Sequence, residues 1–134
     1  MDRHLVAGAL FAVIVAILSG GCVVLRPSVA KAPPPRDPVA LAQCLHERHY
    51  RVYGASWCGH CDDQKKAFGA VGLQRLGYTE CYPVPGDEET PECQAMKFEK
   101  FPTWVLPDGR RISHFLALDQ LAALSGCPWP APSR

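Results

Sequence analysis

The sequence predicts an α/β domain preceded by a hydrophobic N-terminal helix. A short apolar run ends at a Cys-x-x-Cys motif, and a helical pattern begins at that motif. Helix and strand patterns alternate along the domain in the order α-β-α-β-α-β-β-α. Residues 5–25 carry no charge, which predicts the N-terminal helix. The 134 residues have room for one domain of about 100 residues and an appendage.

Charge and cysteine content narrow the classes of function. The formal net charge of +1 gives no electrostatic argument for a nucleic-acid partner. The chain has seven cysteines, and no second Cys-x-x-Cys stands at zinc-binding spacing, so no metal site is expected. Many cysteines with a single such motif are typical of an oxidising compartment, in which disulfides persist.

Residues 1–25 are predicted to be a signal anchor or a signal peptide. The uncharged run is long enough to cross a bilayer of about 30 Å, and Arg3 would then lie on the cytoplasmic side. A cleaved signal peptide is an alternative, because residues 28–30 are small enough for a cleavage site. A lipoprotein signal ending at Cys22 is another, although the leucine of LSGGC stands one residue too far from the cysteine. Each of the three places the rest of the chain outside the cytoplasm.

The remaining chain divides into a tether, a domain and a tail. Residues 26–37 form a proline-rich tether, in which three consecutive prolines favour a stiff, extended polyproline segment. Residues 38–127 form the domain, and residues 128–134 are the tail. We expect the tether to hold the domain a short distance from the membrane.

The elements of the domain follow from helix caps and apolar spacing. Asp37 and Pro38 begin the first helix, Asp119 is expected to cap the last helix, and Gly126 ends it. Strands are predicted at residues 50–55, 78–82, 103–106 and 111–115, and two further helices run from residue 59 to about 71 and from 91 to about 100. The apolar side chains expected to face the core are Val39, Leu41, Ala42, Leu45, Ala67, Phe68, Val71, Leu121, Ala122 and Leu124.

The segment YGASWCGHC, residues 53–61, places two cysteines at a strand–helix junction. Unpaired N–H groups and the positive end of the helix dipole favour a thiolate at Cys58. We therefore expect Cys58 to be the exposed nucleophile and Cys61, one turn into the helix, to be the more buried resolving thiol. His60 stands between them and can stabilise the Cys58 thiolate, which would make the disulfide more oxidising.

This motif and its surroundings resemble the thioredoxin fold, since the Cys-x-x-Cys lies at a strand–helix junction and a β-α-β-β-α order follows, with an X-Pro just before the third strand. More narrowly, YGASWCGHCDDQKKAFG, YTECYP, FPTWVLPDGRR and LALDQLAALSG resemble the thioredoxin-like domain associated with bacterial and plant homologues of vitamin K epoxide reductase. The resemblance covers residues 39–126. It implies a central mixed sheet of about four strands flanked by helices.

The resemblance also assigns residues around the motif. Pro102 matches the cis-proline that faces the Cys-x-x-Cys, and Phe101 and Thr103 would flank a substrate groove. Trp57 is expected to shield the site and to add an apolar substrate contact. Val52 stands where thioredoxins carry a buried acid. This departure fits an oxidase or an electron carrier better than a fast reductase.

Two further cysteine pairs are candidates for structural disulfides. Cys81 and Cys93 would close a loop of about a dozen residues and stabilise the domain by about 3 kcal/mol. The alternative is a second redox pair that relays electrons from the Cys-x-x-Cys. Cys44 and Cys127 lie on the first and last helices, which usually pack on opposite faces of this type of sheet, so their pairing is the weaker expectation.

These expectations combine into a membrane-tethered thiol–disulfide oxidoreductase in the periplasm, another extracytoplasmic space or the thylakoid lumen. Electrons would pass from substrate protein thiols to a membrane partner of the vitamin K epoxide reductase type. The enzyme would need no cofactor beyond its redox-active disulfide, and a quinone would be reached only through the partner. The alternatives are an isomerase or reductase kept reduced by another membrane donor, and a non-catalytic binding module or metal carrier using Cys58, His60 and Cys61.

Overall fold

The computed structural model describes residues 35–130 of the chain. The predicted signal segment with Cys22, residues 26–34 of the tether and the last four residues of the tail lie outside this range. Within it, no helix combines the length and the apolar character that a membrane span requires.

Within residues 35–130, four helices and four strands follow one another in the predicted order α-β-α-β-α-β-β-α. They are α1 (Pro38–Glu47), β1 (Arg51–Gly54), α2 (Gly59–Leu76), β2 (Thr79–Glu80), α3 (Pro91–Met96), β3 (Thr103–Val105), β4 (Arg111–Ile112) and α4 (Leu118–Ser125). The strands and α3 are shorter than the sequence predicts, whereas α2 extends further.

The strands form one mixed sheet in the order β2-β1-β3-β4. β1 pairs with β2 in parallel and with β3 antiparallel, and β3 and β4 form an antiparallel pair. The four-stranded mixed sheet flanked by helices is therefore confirmed. Because Tyr53 pairs with Thr103, the residue before β3 lies beside the end of β1, where the Cys-x-x-Cys loop begins.

The two faces of the sheet are covered unequally. Side chains alternate along a strand, so Val52 and Trp104 face one side and Tyr53 faces the other. The first side carries the main core, to which α1, α2 and α4 all contribute. On the second side, Tyr53 packs with Cys81 and with Cys93 of α3. Fully buried residues of the main core are Leu41, Ala42, Leu45, Val52, Leu76, Trp104 and Leu121.

Two disulfides connect distant parts of the domain. Cys81 and Cys93 are bonded, with their Cα atoms 5.6 Å apart, and join the end of β2 to α3. Cys44 and Cys127 are also bonded, with Cα atoms 6.0 Å apart. The expectation that the first and last helices lie on opposite faces of the sheet is wrong, because both pack in the same core.

The helix ends show which caps the sequence predicted correctly. The Asp37 side chain accepts hydrogen bonds from the backbone N–H groups of Val39 and Ala40, as expected for the start of α1. Gly126, with a φ of 70°, ends α4 as predicted. Asp119 is not the cap of α4, since the helix begins at Leu118. Ala117 is the N-cap, and its backbone N–H donates to the Gln120 side chain.

Two predicted core residues are exposed. Gly69 interrupts α2 with a φ of 67° and a ψ of 171°, so the helical spacing does not continue across it. Beyond this break Val71 is 57% exposed, and Gly72 and Leu76 face the core instead. Leu124 is 38% exposed because it lies at the edge of the buried stripe of α4.

The Cys44–Cys127 disulfide should contribute more to stability than the Cys81–Cys93 disulfide. It spans 83 residues rather than 12, and the loop-entropy model then gives about 4 to 5 kcal/mol against about 3 kcal/mol. We expect the double variant C44A/C127A to lose more unfolding free energy than C81A/C93A in denaturant titrations without reductant. Equal losses, or a larger loss for C81A/C93A, would contradict this ranking.

Candidate active site

The Cys-x-x-Cys motif lies where β1 ends and α2 begins. The backbone turns after Ala55, whose carbonyl accepts a hydrogen bond from the Cys58 N–H at 3.1 Å. Cys58 is the N-cap of α2 in an extended conformation. Its sulfur accepts a hydrogen bond from the Cys61 N–H at 3.2 Å. A helix N-terminus therefore directs both a backbone donor and its dipole at the Cys58 sulfur.

Cys58 and Cys61 are joined as a disulfide, with their Cα atoms 5.2 Å apart. Cys61 has no exposed surface and Cys58 retains 7%, so Cys61 is the more buried of the two. The expectation of an exposed Cys58 is not met in this disulfide form. The pair packs with Ala55 and against Tyr82 and Phe101. Only the Cys58 end of the disulfide offers any surface to an attacking thiolate.

Three aromatic side chains form a patch beside the disulfide. Trp57 is 61% exposed, and its ring centroid lies 5.9 Å from that of Tyr82 and 6.0 Å from that of Phe101. Tyr82 and Phe101 are themselves 6.0 Å apart. An exposed aromatic surface of this kind is suited to contact an apolar segment of another protein.

Residues 101–103, which include Pro102, form another part of the site. The Phe101–Pro102 peptide bond is cis, as predicted. Phe101 is half-buried against the disulfide, whereas the Pro102 side chain is fully buried. Thr103 is 1% exposed, and its hydroxyl bonds Ser113 at 2.9 Å and the Lys100 carbonyl. The structure therefore leaves Thr103 almost no surface for the predicted substrate contact. The side chains of Trp57 and Phe101 retain exposed surface for such a contact.

His60 lies on the outer surface of α2. Its side chain is 77% exposed, and Nδ1 lies 3.7 Å from the Asp63 carboxylate. Among the described residues it makes no hydrogen bond to the Cys58 sulfur. Stabilisation of the thiolate by His60 stays a prediction.

Gln64 is a site-positioning residue that the sequence analysis missed. Its amide is fully buried: Nε2 donates to the Leu116 carbonyl at 3.0 Å, and Oε1 accepts from the Leu116 N–H at 3.0 Å and from Trp104 Nε1 at 3.3 Å. These bonds attach α2 to β3 and to the segment before α4. The signal was present in the spacing, since Gln64 follows Cys61 by three residues and precedes Phe68 by four on one helix face.

Tyr78 approaches the inner cysteine across Gly54. A Cβ atom built on Gly54 would lie 1.6 Å from Tyr78 Oη and 3.1 Å from Cys61 Sγ. Only glycine at this position lets the phenol come so close. The Tyr78 hydroxyl is buried and has no hydrogen-bond partner among the described residues. Lys65 Nζ lies 5.5 Å from the centre of the Tyr78 ring and bonds Glu80 at 2.9 Å.

Burial shifts the pKa values of Tyr78 and Lys65 in opposite directions, and neighbouring carboxylates raise both. Burial raises the pKa of Tyr78 far above its ordinary value of 10.0, and the charges of Glu80 and Asp62 act in the same direction. Burial lowers the pKa of Lys65, but its bonds to Glu80 and Asp62 outweigh burial and raise the pKa overall. Tyr78 is therefore a neutral O–H donor, and Lys65 is a cation, at neutral pH.

The Cys81–Cys93 disulfide lies close to the site, but unlike Cys58 neither of its cysteines is exposed to solvent. Both cysteines are fully buried, and their cluster shares Tyr82 and Phe101 with the cluster of Cys58 and Cys61. Complete burial keeps both sulfurs from an attacking thiolate, which favours the structural role over the relay. Within residues 35–130, no three His, Cys, Asp or Glu side chains are grouped so that they could hold a metal ion.

Comparison with known proteins gives one curated relative of note. No family model matches the chain. The chain is 36% identical over 91 residues to the thiol-disulfide oxidoreductase LTO1 of Arabidopsis thaliana. The aligned region is 66% of this chain and 24% of the relative. The chain thus spans about a quarter of the length of the relative that it matches.

Replacing Gln64 by leucine should destabilise the domain strongly. The volume is nearly kept, but the Leu116 N–H, the Leu116 carbonyl and the Trp104 N–H would lose their buried partner, which should cost about 3 kcal/mol or more in unfolding free energy. The matched control is Q43L, because Gln43 bonds only Glu47 on the surface. Denaturant titration measures both variants. Equal effects of Q64L and Q43L would contradict the role of the amide.

The raised pKa of Tyr78 should make stability fall at alkaline pH. Above the ordinary value of 10.0 the unfolded chain loses the phenol proton while the native protein keeps it, so the unfolding free energy decreases as the pH rises. Wild type should therefore lose stability more steeply than Y78F between about pH 9 and about pH 11. Tyr53 and Lys65, whose pKa values are also raised, are present in both proteins. Parallel profiles from urea titrations would contradict the shift.

Proposed function

We propose that this chain is a thiol–disulfide oxidoreductase that acts outside the cytoplasm through the Cys58–Cys61 pair. One observation carries the proposal: Cys58 caps α2, its sulfur accepts the Cys61 N–H, and it forms a disulfide with Cys61. The similarity to a protein named as a thiol-disulfide oxidoreductase supports it. The activity follows from thiolate chemistry at a helix N-terminus.

The reaction proceeds by two exchanges at sulfur. A substrate thiolate attacks Cys58 Sγ, the Cys58–Cys61 bond breaks, and Cys61 leaves as a thiolate while substrate and Cys58 form a mixed disulfide. A second substrate thiolate then attacks the substrate sulfur, and Cys58 leaves as a thiolate. The substrate gains a disulfide, and the cysteine pair gains two electrons. The Cys61 N–H and the helix dipole stabilise the departing Cys58 thiolate.

The same interactions favour electron flow from substrate to the cysteine pair. Stabilising the thiolate stabilises the reduced enzyme and makes its disulfide a stronger oxidant. His60 would add to this effect by facing the thiolate in the reduced form. Val52, fully buried in β1, supplies no ionisable group beneath the motif, which supports an oxidase or electron carrier over a fast reductase.

We further propose that a membrane protein of the vitamin K epoxide reductase type reoxidises the pair. The aromatic patch of Trp57, Tyr82 and Phe101 offers an apolar surface on which substrates and this partner would dock in turn. A signal anchor at residues 1–25, followed by the tether, would keep the domain close to such a partner. The partner, and not this domain, would hold the quinone.

The structural disulfides support the compartment. Besides the Cys58–Cys61 pair, the described residues contain two disulfides, and such bonds persist in the periplasm, in other extracytoplasmic spaces or in the thylakoid lumen. A reducing cytosol would leave the redox-active pair without its oxidised form.

The decisive experiment offers the oxidised full-length chain to a reduced, unfolded test protein. Wild type should form disulfides in it, and C58A should not. C61A, offered the same test protein in its disulfide form, should accumulate a mixed disulfide through Cys58, detected by mass spectrometry, because the Cys58 thiolate opens the substrate disulfide, the other substrate sulfur leaves as a thiolate, and the resolving thiol is missing. C22A is the matched control for loss of a cysteine outside the pair and should behave as wild type. Exchange by C58A at the wild-type rate would refute the proposed nucleophile.

The reduction potential and trapping in cells separate the alternatives. A potential near about −180 mV fits an oxidant, whereas one near the thioredoxin value of about −270 mV would favour a reductase or isomerase supplied by another membrane donor. C61A expressed in cells should trap the membrane partner as a mixed disulfide. Tight metal binding without any trapped protein would favour the carrier function instead.

A further inference from the structure

A buried hydroxyl without a partner lies next to the inner cysteine. Tyr78 Oη and Cys61 Sγ both approach the point where Gly54 lacks a Cβ, and together with Tyr78 Cζ they are the three atoms nearest to it. The hydroxyl oxygen is buried and unpaired among the described residues. Burying a hydroxyl without a partner is unfavourable, so such a group in a folded protein calls for a function.

The apolar surroundings of Cys61 are a reason why a hydrogen-bond donor near its sulfur would stabilise a thiolate there. Cys61 has no exposed surface and packs with Ala55, Tyr82 and Phe101. When the disulfide opens, negative charge appears on this sulfur, and apolar burial opposes the charge. The Cys61 N–H cannot satisfy that sulfur, because it is already bonded to the Cys58 sulfur and carbonyl.

We propose that Tyr78 donates a hydrogen bond from its hydroxyl to the Cys61 thiolate when substrate opens the Cys58–Cys61 disulfide. This inference rests on the proposed function and adds a residue to the same reaction. In the step concerned, the substrate sulfur bonds Cys58, the Cys58–Cys61 bond breaks, and its electron pair stays on Cys61. The Tyr78 proton remains on its oxygen and is shared with the sulfur.

The groups around Tyr78 explain why it would donate a hydrogen bond rather than transfer its proton. The charges of Glu80 in β2 and Asp62 in α2 oppose a phenolate at Tyr78. Lys65 lies near the ring, but its ammonium group is engaged by both carboxylates. A thiol is a far stronger acid than a phenol in this setting, so the proton stays with the tyrosine.

The consequence is selective stabilisation of the reduced enzyme. In the disulfide form the hydroxyl has no partner, whereas after the disulfide opens it gains the Cys61 sulfur as an acceptor. Tyr78 would thus raise the oxidising strength of the pair from the inner side, as the helix N-terminus does from the outer side. Tyr78 belongs to the short segment between α2 and β2, so this donor lies outside the Cys-x-x-Cys motif.

The test measures the equilibrium of the full-length chain with glutathione. In Y78F the ring remains and only the hydroxyl is lost, so the ratio of reduced to oxidised enzyme at a given glutathione ratio should fall about tenfold, equivalent to a potential about 30 mV lower. The control is Y53F, a residue beside Gly54 whose hydroxyl bonds Glu92 instead. Y53F should leave the equilibrium unchanged. An unchanged equilibrium in Y78F would overturn the inference.

A second measurement separates hydrogen bonding from a general disturbance of the fold. In a C22A/C58A background, Cys61 is the one cysteine outside the two structural disulfides, and its thiolate absorbance against pH gives its pKa. Adding Y78F should raise that pKa, whereas adding Y53F should not. A Cys61 pKa that is the same with and without the hydroxyl would also overturn the inference.

Failure of this inference and failure of the proposed function give different results. If wild type does not exchange with glutathione at the Cys58–Cys61 pair, the proposed function is refuted, and Tyr78 has no reaction to assist. If wild type and Y78F exchange equally well with the same equilibrium, only the role of Tyr78 is refuted.

Discussion

The site depends on the hydrogen bonds of the Gln64 side-chain amide. It is fully buried, and it bonds both backbone groups of Leu116 and the indole of Trp104. Burying an amide costs free energy unless its hydrogen-bond partners lie in the right directions. These bonds therefore determine how α2 packs against β3 and the segment before α4. The position of α2 in turn places Cys58 at the end of β1, beside Phe101 and the cis peptide bond.

From this arrangement the two sulfurs acquire different environments. Cys58 lies at the helix N-terminus, accepts a backbone N–H and keeps a small exposed surface. Cys61 lies one turn deeper among apolar groups, with Tyr78 as its polar neighbour across Gly54. An outer sulfur that is stabilised as a thiolate and an inner sulfur that is shielded from solvent suit a nucleophile and a resolving thiol respectively.

The disulfides compensate for the modest size of the domain. Small domains bury a limited core, and cross-links that restrict the unfolded chain make up part of the difference. The Cys44–Cys127 bond links α1 to Cys127, which follows α4. The Cys81–Cys93 bond holds α3 close to the end of β2. This dependence agrees with a compartment in which disulfides persist.

Local patterns in the sequence were enough to predict the element order, the start of α1 at Asp37, the end of α4 at Gly126 and the junction that carries Cys58 and Cys61. Caps, motifs and apolar spacing act over a few residues, so they can be recognised without the fold. The Cys44–Cys127 pairing, the Gln64 bonds and the approach of Tyr78 to Cys61 were decided only by the tertiary structure. Each joins residues that are distant in the chain, and each depends on how α1, α2 and α4 pack against one face of the sheet.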